Sequence, residues 1–436
     1  MKKEKIKENK RVTTAVSVLL ILAIGFLFSR VNNDSSDTGL ILDVVYPVAY
    51  AFEDDRQWDI REQNPVDDSF MAAINDFSYK TGSLILNDAG KNTNYSPLSL
   101  YYALAIAATG AENETEAELL SLLCVTESQE LAEQSGNLYR TLYKDNEIGK
   151  LKIANSIWLD DDMNGEKIEY KEGFAEQAAD NFYASSHSVD FSNSETGKLM
   201  SKWVSDNTNG TISPTIETDA EQILSILNTI YFYDEWINRF DKDKTKEDIF
   251  YISNGNEVKA DFMNQTFGSA RFAKGDGFTR ANLALKNAGK MIFILPDEGI
   301  SPYELITSPQ GMKQTFEGGE NFNGQVAWKI PKFSFESKLK LNNILKILSV
   351  NSAFTADADF SGITENMAYI TDVQQETHIA IDENGVEAAA FTQIDYAGAA
   401  LPEDRADMIL DRPFIYCITA ENGSLLFVGI CENPAE

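Results

Sequence analysis

The sequence predicts one large α+β domain, preceded by a membrane-directed segment and a spacer. Helical periodicity of apolar residues is concentrated in the first half of the chain, and strand-like runs are concentrated in the second half. Two of these runs flank the turn dipeptide Asn422-Gly423 near the C-terminus. From residue 68 to the end, no linker-like break or repeat interrupts the pattern. Helices followed by strands favour an α+β fold over a doubly wound sheet.

Each element is predicted from its own periodicity. Apolar residues at helical spacing predict five helices, at 69–86, 98–108, 113–123, 171–182 and 196–207. Strand-like runs predict seven strands, at 152–159, 223–233, 290–296, 326–335, 368–382, 412–419 and 425–431. With 436 residues, of which 43% are hydrophobic, the chain is long enough to bury a large core.

The N-terminus joins a basic stretch to an apolar one. Six Lys or Arg residues lie within the first eleven positions, and an uncharged run follows at 12–29. As a helix, this run spans roughly 27 Å, marginally enough for a bilayer core. The basic flank should stay cytoplasmic, which places the rest of the chain outside the cell. Because no small-x-small cleavage site or lipobox cysteine follows, residues 1–30 are predicted to be an uncleaved signal anchor. The alternative is a cleaved signal peptide and a secreted protein.

Between this segment and the domain of 68–436, residues 31–67 are acidic and irregular, with a short apolar island at 40–50. We interpret them as a spacer. The net charge of −31 argues against nucleic acid as a partner, because phosphate contacts require a basic surface. The odd number of cysteines, Cys124, Cys417 and Cys431, predicts free thiols rather than a disulfide framework.

The sequence contains few residues or motifs that could support catalysis. The two histidines, His187 and His378, leave little material for histidine-based acid–base catalysis. Nucleophile elbows, phosphate-binding glycine loops and His-Glu-x-x-His motifs are missing from the sequence. The stretch from Asp357 resembles the start of a calcium loop, but its twelfth position is Ala368, where a glutamate is required. We therefore expect neither an enzyme nor a metal or other cofactor.

The segment 383–400 is patterned as a strand but composed as a loop. At period two, one of its faces is apolar and the other is mostly polar, as in a strand with one buried side. However, it begins with Asn384-Gly385, is dense in alanine, and runs into Gly398 and Pro402. These features suggest two alternative states for one segment. A surface loop with chance alternation is the other interpretation.

Short motifs along 68–436 resemble, in order, the signatures of the serpin family. They are Asn94-Tyr95-Ser96-Pro97-Leu98-Ser99 with Gly110-Ala111, Ala154-Asn155-Ser156-Ile157-Trp158, Trp203-Val204 with Thr208 and Gly210, Leu227-Asn228-Thr229-Ile230-Tyr231-Phe232 with Trp236, Ile330-Pro331-Lys332-Phe333, Ala358-Asp359-Phe360-Ser361-Gly362, Arg412-Pro413-Phe414 and Phe427-Val428-Gly429. The resemblance implies a prokaryotic serpin with an N-terminal anchor or signal. The implied fold is metastable, with three β-sheets, about nine helices and an exposed reactive-centre loop at about 383–411.

The resemblance also implies a suicide mechanism. A serine protease attacks the loop and forms an acyl-enzyme, and the cut loop then enters the central sheet as a new strand. The protease is dragged across the body, so deacylation fails. The implied hinge consists of Glu383, Gly385, Val386, Glu387, Ala388, Ala389, Ala390 and Thr392. The implied shutter and breach residues, which control opening of the sheet, are Ser96, Ser99, Asn228, Trp236, Lys332 and Gln375.

Three positions depart from the family pattern. Val386 stands where Thr or Ser is common, and it is uncharged, so we expect insertion to survive. Phe391 stands where a small residue is usual. Because alternation directs it outward, we expect slower insertion rather than blockage. Gln375 matches a frequent histidine, and its amide can still bond to Asn228 or Ser96.

Two further expectations concern the hinge. Glu383 and Lys332 match an ion pair of the family at the top of the sheet, and we expect that pair here. Gly385 is expected to give the hinge its backbone freedom.

The family's spacing also indicates the bond that is attacked. Counting seventeen residues from Glu383 gives Ala399, followed by Ala400. Counting back from Arg412 instead gives Pro402, so the exact bond stays open by up to three residues. The small side chains fit the specificity pocket of elastase-like or subtilisin-like serine proteases, which are the expected partners. A trypsin-like pocket does not fit, because the loop offers no Lys or Arg before Arg405.

Two functions therefore stay open. The uncharged, alanine-rich hinge favours an inhibitor displayed at the cell surface, and Phe391 favours a non-inhibitory serpin that acts as a binding or carrier module. We expect a monomer in either case.

Overall fold

Two large β-sheets form the centre of the computed structural model, and α-helices pack around them. The structure describes residues 39–87, 90–163, 165–171, 173–287, 289–386 and 404–436. Within these ranges there are ten α-helices. They are α1 (Arg56–Gln63), α2 (Asp68–Ile85), α3 (Pro97–Thr109), α4 (Asn113–Leu123), α5 (Ser128–Leu142), α6 (Phe174–Phe182), α7 (Ser194–Asn207), α8 (Pro302–Leu305), α9 (Pro309–Glu317) and α10 (Asn342–Ile347).

The strands follow the chain in a mixed order. They are β1 (Leu40–Leu42), β2 (Thr93–Tyr95), β3 (Lys144–Asp145), β4 (Lys150–Asp160), β5 (Asp162–Met163), β6 (Glu166–Lys167), β7 (Ala184–Val189), β8 (Leu224–Glu235), β9 (Lys246–Tyr251), β10 (Glu257–Gly275), β11 (Phe278–Ala284), β12 (Lys290–Pro296), β13 (Glu320–Pro331), β14 (Phe333–Lys340), β15 (Gln374–Ile381), β16 (Gly385–Val386), β17 (Arg405–Ile409), β18 (Phe414–Thr419) and β19 (Leu425–Cys431).

The first sheet has eight strands, in the order β1-β7-β4-β8-β16-β15-β14, with β3 paired to β4. The second has nine strands, in the order β17-β13-β10-β11-β12-β18-β19-β2, with β9 paired to β10. A two-stranded ribbon, β5 with β6, completes the described sheets. Helices and largely antiparallel sheets confirm the predicted α+β class.

One continuous apolar core connects the two large sheets with the helices. Its centre is α3, in which eleven of the thirteen residues are buried. A smaller cluster lies on the other face of the first sheet, under α7, and contains Trp158, Val189, Phe191 and Met200. The first sheet is therefore covered on both faces, by α3 on one side and α7 on the other.

The helices and strands with strong periodicity were predicted well. The five predicted helices correspond to α2, α3, α4, α6 and α7. The predicted strand at 326–335 is in fact two strands, because β13 ends at Pro331 in the second sheet and β14 begins at Phe333 in the first. The three cysteines are free, as predicted. Cys417 pairs with Val428 and Cys431 with Phe414, so the two buried thiols do not face each other.

The structure differs from the predicted irregular spacer over residues 39–67. There β1 adds to the edge of the first sheet, with Leu40 opposite His187, and α1 follows. The ring of Tyr46 stacks on those of Tyr143 and Tyr183, with 5.9 and 6.4 Å between ring centroids. Burial raises the pKa of Tyr46 to about 12.

Within the described ranges, no helix combines the length and the apolarity needed to cross a membrane. The apolar run at 12–29, like the rest of the predicted anchor, lies outside these ranges.

Replacing Tyr46 with alanine should lower the free energy of unfolding by about 1–3 kcal/mol, because the stacked ring and its buried area are lost. Urea unfolding of the full chain in detergent measures this change. Val48→Ala serves as the control, since Val48 is 69% exposed and its loss should stay within about 0.5 kcal/mol. Equal effects of the two substitutions would show that the segment around Tyr46 does not stabilise the domain.

Candidate functional site

The short strand β16 lies between β8 and β15 at one end of the first sheet. Gly385 pairs with Glu235, and Val386 pairs with both Asp234 and Ile381. Beyond these two residues, the described part of the chain places no strand between β8 and β15, apart from a single bridge between Leu224 and Ile370 at the opposite end. The segment predicted to change state thus begins at the top of a gap in the sheet.

The structure gives Gly385 a different role from the predicted backbone freedom. Gly385 is not among the glycines with positive φ. A Cβ atom at this position would lie 2.2 Å from the carbonyl oxygen of Asp234. Glycine is therefore required because the backbone of β8 approaches closely, which lets the hinge pair with the strand.

The turn from β15 into β16 is held by backbone and indole hydrogen bonds. The indole Nε1 of Trp236 donates to the carbonyl of Asp382 at 2.9 Å, and the Trp236 amide donates to the carbonyl of Asn384 at 2.9 Å. Asp382 accepts from the amide of Asn384 at 2.7 Å, closing the turn. Trp236 is 1% exposed, so packing fixes the ring that makes the indole hydrogen bond.

Glu383 makes the ion pair that its position predicts. Its carboxylate lies 3.2 Å from Lys332 Nζ and accepts a hydrogen bond from Thr245 Oγ1 at 2.7 Å. Burial alone would raise the pKa of Glu383. Three hydrogen bonds, from Thr245, from its own backbone and from Lys332, lower the pKa, and so does the positive charge of Lys332. Together they outweigh the effect of burial. The net effect is a lowered pKa. Glu383 therefore stays ionised and ties the hinge to the end of β13.

The predicted shutter residues form two hydrogen-bonded pairs under the sheet. Gln375 accepts from the Ser96 amide at 2.8 Å and donates to the Ser96 carbonyl at 2.9 Å. The Ser99 hydroxyl donates to Asn228, whose amide donates to Asn155. Gln375 thus bonds to Ser96, one of the two partners that the sequence allowed.

These bonds connect α3 to both strands that border the gap. The Ser96 hydroxyl accepts from the Ser99 amide at 3.3 Å and so caps α3, while Pro97 occupies its first turn. Ser99 reaches β8 through Asn228, and Ser96 reaches β15 through Gln375. A cavity of about 50 Å³ lies between α3, the lower part of β8 and residues 370–375. Opening the sheet here requires a break or shift in these bonds.

Sequence reasoning missed a buried charge cluster beside the hinge. Glu235, which is 1% exposed, lies 2.6 Å from Arg239 and 2.9 Å from Lys286. Asp234 is fully buried and accepts from the amide of Asn287 at 2.9 Å. Two adjacent carboxylates at the end of an apolar strand were the available signal. They fix the end of β8 that receives β16.

The other predicted hinge residues and the predicted scissile bond lie outside the described residues. They are Glu387, Ala388, Ala389, Ala390, Thr392, Ala399 and Ala400.

A comparison with models of protein families identifies the family of this chain. A family model described as Serpin (serine protease inhibitor) matches residues 72–434. This chain belongs to the serpin family. The matched residues include the hinge, the shutter and both large sheets apart from β1, which precedes them together with α1.

Curated relatives and solved structures agree with this assignment. Serpin-Z7 of Hordeum vulgare is 29% identical over 385 residues, covering 82% of this serpin and 95% of that protein. The thermophilic serpin tengpin in its native state has a TM-score of 0.76 and 28% identity, covering 89% of this chain and 97% of that chain. Thyroxine-binding globulin in complex with thyroxine has a TM-score of 0.71 and 24% identity, covering 84% and 100%. At that identity it shows the shared fold alone.

The Glu383 carboxylate generates a pH prediction. Because its pKa is lowered in the folded state, its stabilising contribution is present above the unfolded-state pKa of about 4.3. The contribution is lost as the pH falls through the folded value. We expect Glu383→Gln to lower stability by about 1–2 kcal/mol at neutral pH and to match the wild type in strong acid. The difference in urea midpoints at the two pH values measures this. A difference that does not change with pH would exclude the ionised carboxylate as the source.

Proposed function

We propose that this serpin is a suicide inhibitor of serine proteases whose specificity pocket accepts a small residue. In this proposal the protease cleaves at about Ala399–Ala400, and the cut loop fills the gap between β8 and β15. The observation that carries the proposal is that Gly385 and Val386 already pair with β8, and Val386 with β15, at the top of that gap. The loop needs only to continue a strand that has begun.

The register of these pairs supports insertion of the whole segment. If it continues antiparallel, each later loop residue opposes one residue earlier in β8 and in β15. Ala388 then comes between Phe232 and Ile379, which are 5% and 2% exposed. Thr392 comes between Asn228 and Gln375, which are the polar shutter residues. The side chains of the loop therefore match the neighbours that the register gives them.

The lengths also agree. β8 has twelve residues, and the loop segment from Gly385 to Tyr396 has twelve. Continued register brings Tyr396 opposite Leu224 at the far end of the strand. Twelve residues in a strand span roughly 40 Å, so a protease attached near Ala399 would move by about the length of the sheet.

The chemistry before insertion is ordinary acyl transfer. The protease serine attacks the carbonyl carbon of Ala399, the bond to the Ala400 nitrogen breaks, and an ester joins the serpin to the protease. Insertion then adds ladder hydrogen bonds on both sides of the new strand and buries Ala388 and Ala390. Because this gain follows cleavage, the complex is a kinetic trap rather than a binding equilibrium.

The alternative is a non-inhibitory binding module, and Phe391 is the residue that favours it. Continued register puts Phe391 opposite Thr229, on the outer face of the sheet. That face is covered by α7, whose Trp203 packs in the same cluster as Leu227. An aromatic ring would have to fit beneath this helix, which should slow insertion and let more protease escape.

For location, we propose that residues 1–30 anchor the serpin at the outer cell surface, with secretion after cleavage as the alternative. The basic flank and the apolar run at 12–29 support this. We propose that the domain acts as a monomer.

Trapping is tested by mixing the full chain in mild detergent with an elastase and running a denaturing gel, beside trypsin and chymotrypsin. We expect a band of the summed mass with elastase, because an ester survives denaturation, and a released peptide that begins at Ala400. Clipping of the serpin with the elastase still active would contradict the proposal for this protease class.

A matched pair of substitutions tests insertion itself. Ala388→Arg should abolish the covalent band while leaving cleavage intact, because the inserted strand would bury an unpaired charge between Phe232 and Ile379. Glu387→Arg is the control, since residue 387 faces outward in the same register and is already charged. Normal trapping by Ala388→Arg would exclude this register.

A further inference from the structure

The edge formed by residues 39–63, called here the N-terminal edge, exposes an unusual amount of apolar surface. Among the described residues, eight large hydrophobic side chains are exposed, and four of them lie in this stretch. They are Ile41 at 59%, Val45 at 90%, Val48 at 69% and Trp58 at 64%. Half of the exposed large hydrophobic side chains thus fall within one short stretch of the chain, and such a concentration indicates a partner.

These side chains are presented by a backbone that is fixed to the body. Leu40 pairs with His187 at the edge of the first sheet, and Tyr46 stacks on Tyr143 and Tyr183. Farther along, Lys144 donates to the side chain of Gln57 at 2.9 Å, and Arg61 forms an ion pair with Glu421. The exposed residues lie between the residues that hold the segment down. They point away from the domain because the other side of the segment is occupied.

The chain that precedes this edge indicates what the partner is. The apolar run ends at Ser29, and the nine residues 30–38 separate it from Gly39. Fully extended, nine residues reach about 30 Å. If the run is in a bilayer, as proposed above, the N-terminal edge is held within that distance of the lipid surface. A tether this short gives a high effective concentration, so weak affinity is enough for contact.

The polar groups of the edge define the kind of lipid. Arg61 lies 5.1 Å from the ring of Trp58, and Arg56 lies 4.6 Å from the ring of Tyr50. Aromatic rings beside basic groups are typical of the membrane–water interface. However, residues 39–63 contain six carboxylates and only the two arginines. This balance repels anionic headgroups and is compatible with zwitterionic ones.

We propose that the N-terminal edge docks on the surface of a zwitterionic bilayer through Ile41, Val45, Val48 and Trp58, so that the domain lies on its side. The proposal rests on the proposed membrane attachment of residues 1–30. It adds a second contact, made by the folded domain itself.

The path of the edge gives this orientation a consequence for trapping. The chain enters at the lower end of the first sheet, where Leu40 is level with His187, Trp158 and Ser225. The hinge lies at the other end of β8, ten residues and roughly 33 Å away. If the domain were held by a tether alone, the lower end of the sheet would face the membrane. This is the end to which an inserted loop would carry the attached protease. Side-on docking keeps both ends of the sheet clear of the lipid.

The test uses the full chain reconstituted in phosphatidylcholine vesicles, part of whose lipid carries brominated acyl chains that quench tryptophan. Trp158, Trp236 and Trp328 are buried and Trp203 is half-buried, so Trp58 is the exposed reporter. We expect quenching and a blue shift of the emission, both lost in Trp58→Phe. Val45→Ser with Val48→Ser should reduce the quenching at least severalfold. Ile347→Ser, which alters a side chain 70% exposed on α10, should leave it unchanged.

Three other outcomes overturn the proposal. Vesicles that float with the protein but do not quench Trp58 would show anchoring without docking. Stronger quenching in vesicles rich in phosphatidylserine would contradict the zwitterionic preference. Failure of the chain to float with vesicles would remove the anchoring on which the proposal rests. The proposed inhibition is scored separately by the covalent band in detergent, so its failure is distinguishable from each of these results.

Discussion

The close contact between Gly385 and the backbone of β8 is the constraint on which the rest of the account depends. It brings the start of the loop into register with β8, and Val386 with β15, while the described residues leave the gap below it without a strand. The Asp234–Glu235 cluster and Trp236 hold β8 and the hinge turn in place at that end. A larger residue at 385 would meet the Asp234 carbonyl and displace the first pair. The hinge is thus both the fixed end of the gap and the starting point of any strand that fills it.

The shutter bonds have a complementary role at the middle of the gap. Ser96, which caps α3, and Ser99, in its first turn, bond to different strands: Ser96 to β15 through Gln375, and Ser99 to β8 through Asn228. The same helix therefore holds the two strands at their present separation. If the register continues, Thr392 lies between Asn228 on β8 and Gln375 on β15. Its hydroxyl could then replace some of the hydrogen bonds to α3 that break when the two strands move apart. This offers a physical reason for the hydroxyl of Thr392 on a face that is otherwise largely apolar.

Helices and strands whose apolar residues recur at one regular spacing could be predicted from the sequence. α3 was placed within one residue at each end, because Pro97 and Gly110 mark its limits. The division of 326–335 into β13 and β14 was missed, because apolar and polar residues alternate in both strands and we interpreted them as one run. The alternation shifts by one residue at Pro331, where β13 ends, but this shift does not show that the chain changes sheet. β1 and α1 were also missed, because β1 pairs with β7 at His187 and α1 contacts Glu421 through Arg61, both far away in sequence. The Glu383–Lys332 pair was found through family resemblance, whereas the only signal for the Asp234–Glu235 cluster was a pair of adjacent carboxylates at the end of an apolar strand.

The most direct test of the central claim is hydrogen exchange at the two strands that border the gap, measured before and after the loop is cut by an elastase. The account predicts that amides of 225–233 and 374–380 gain protection together after cleavage, because a new strand pairs with both edges. Unchanged exchange in both segments, with the loop fully cut, would show that the loop does not enter the sheet and would contradict the account.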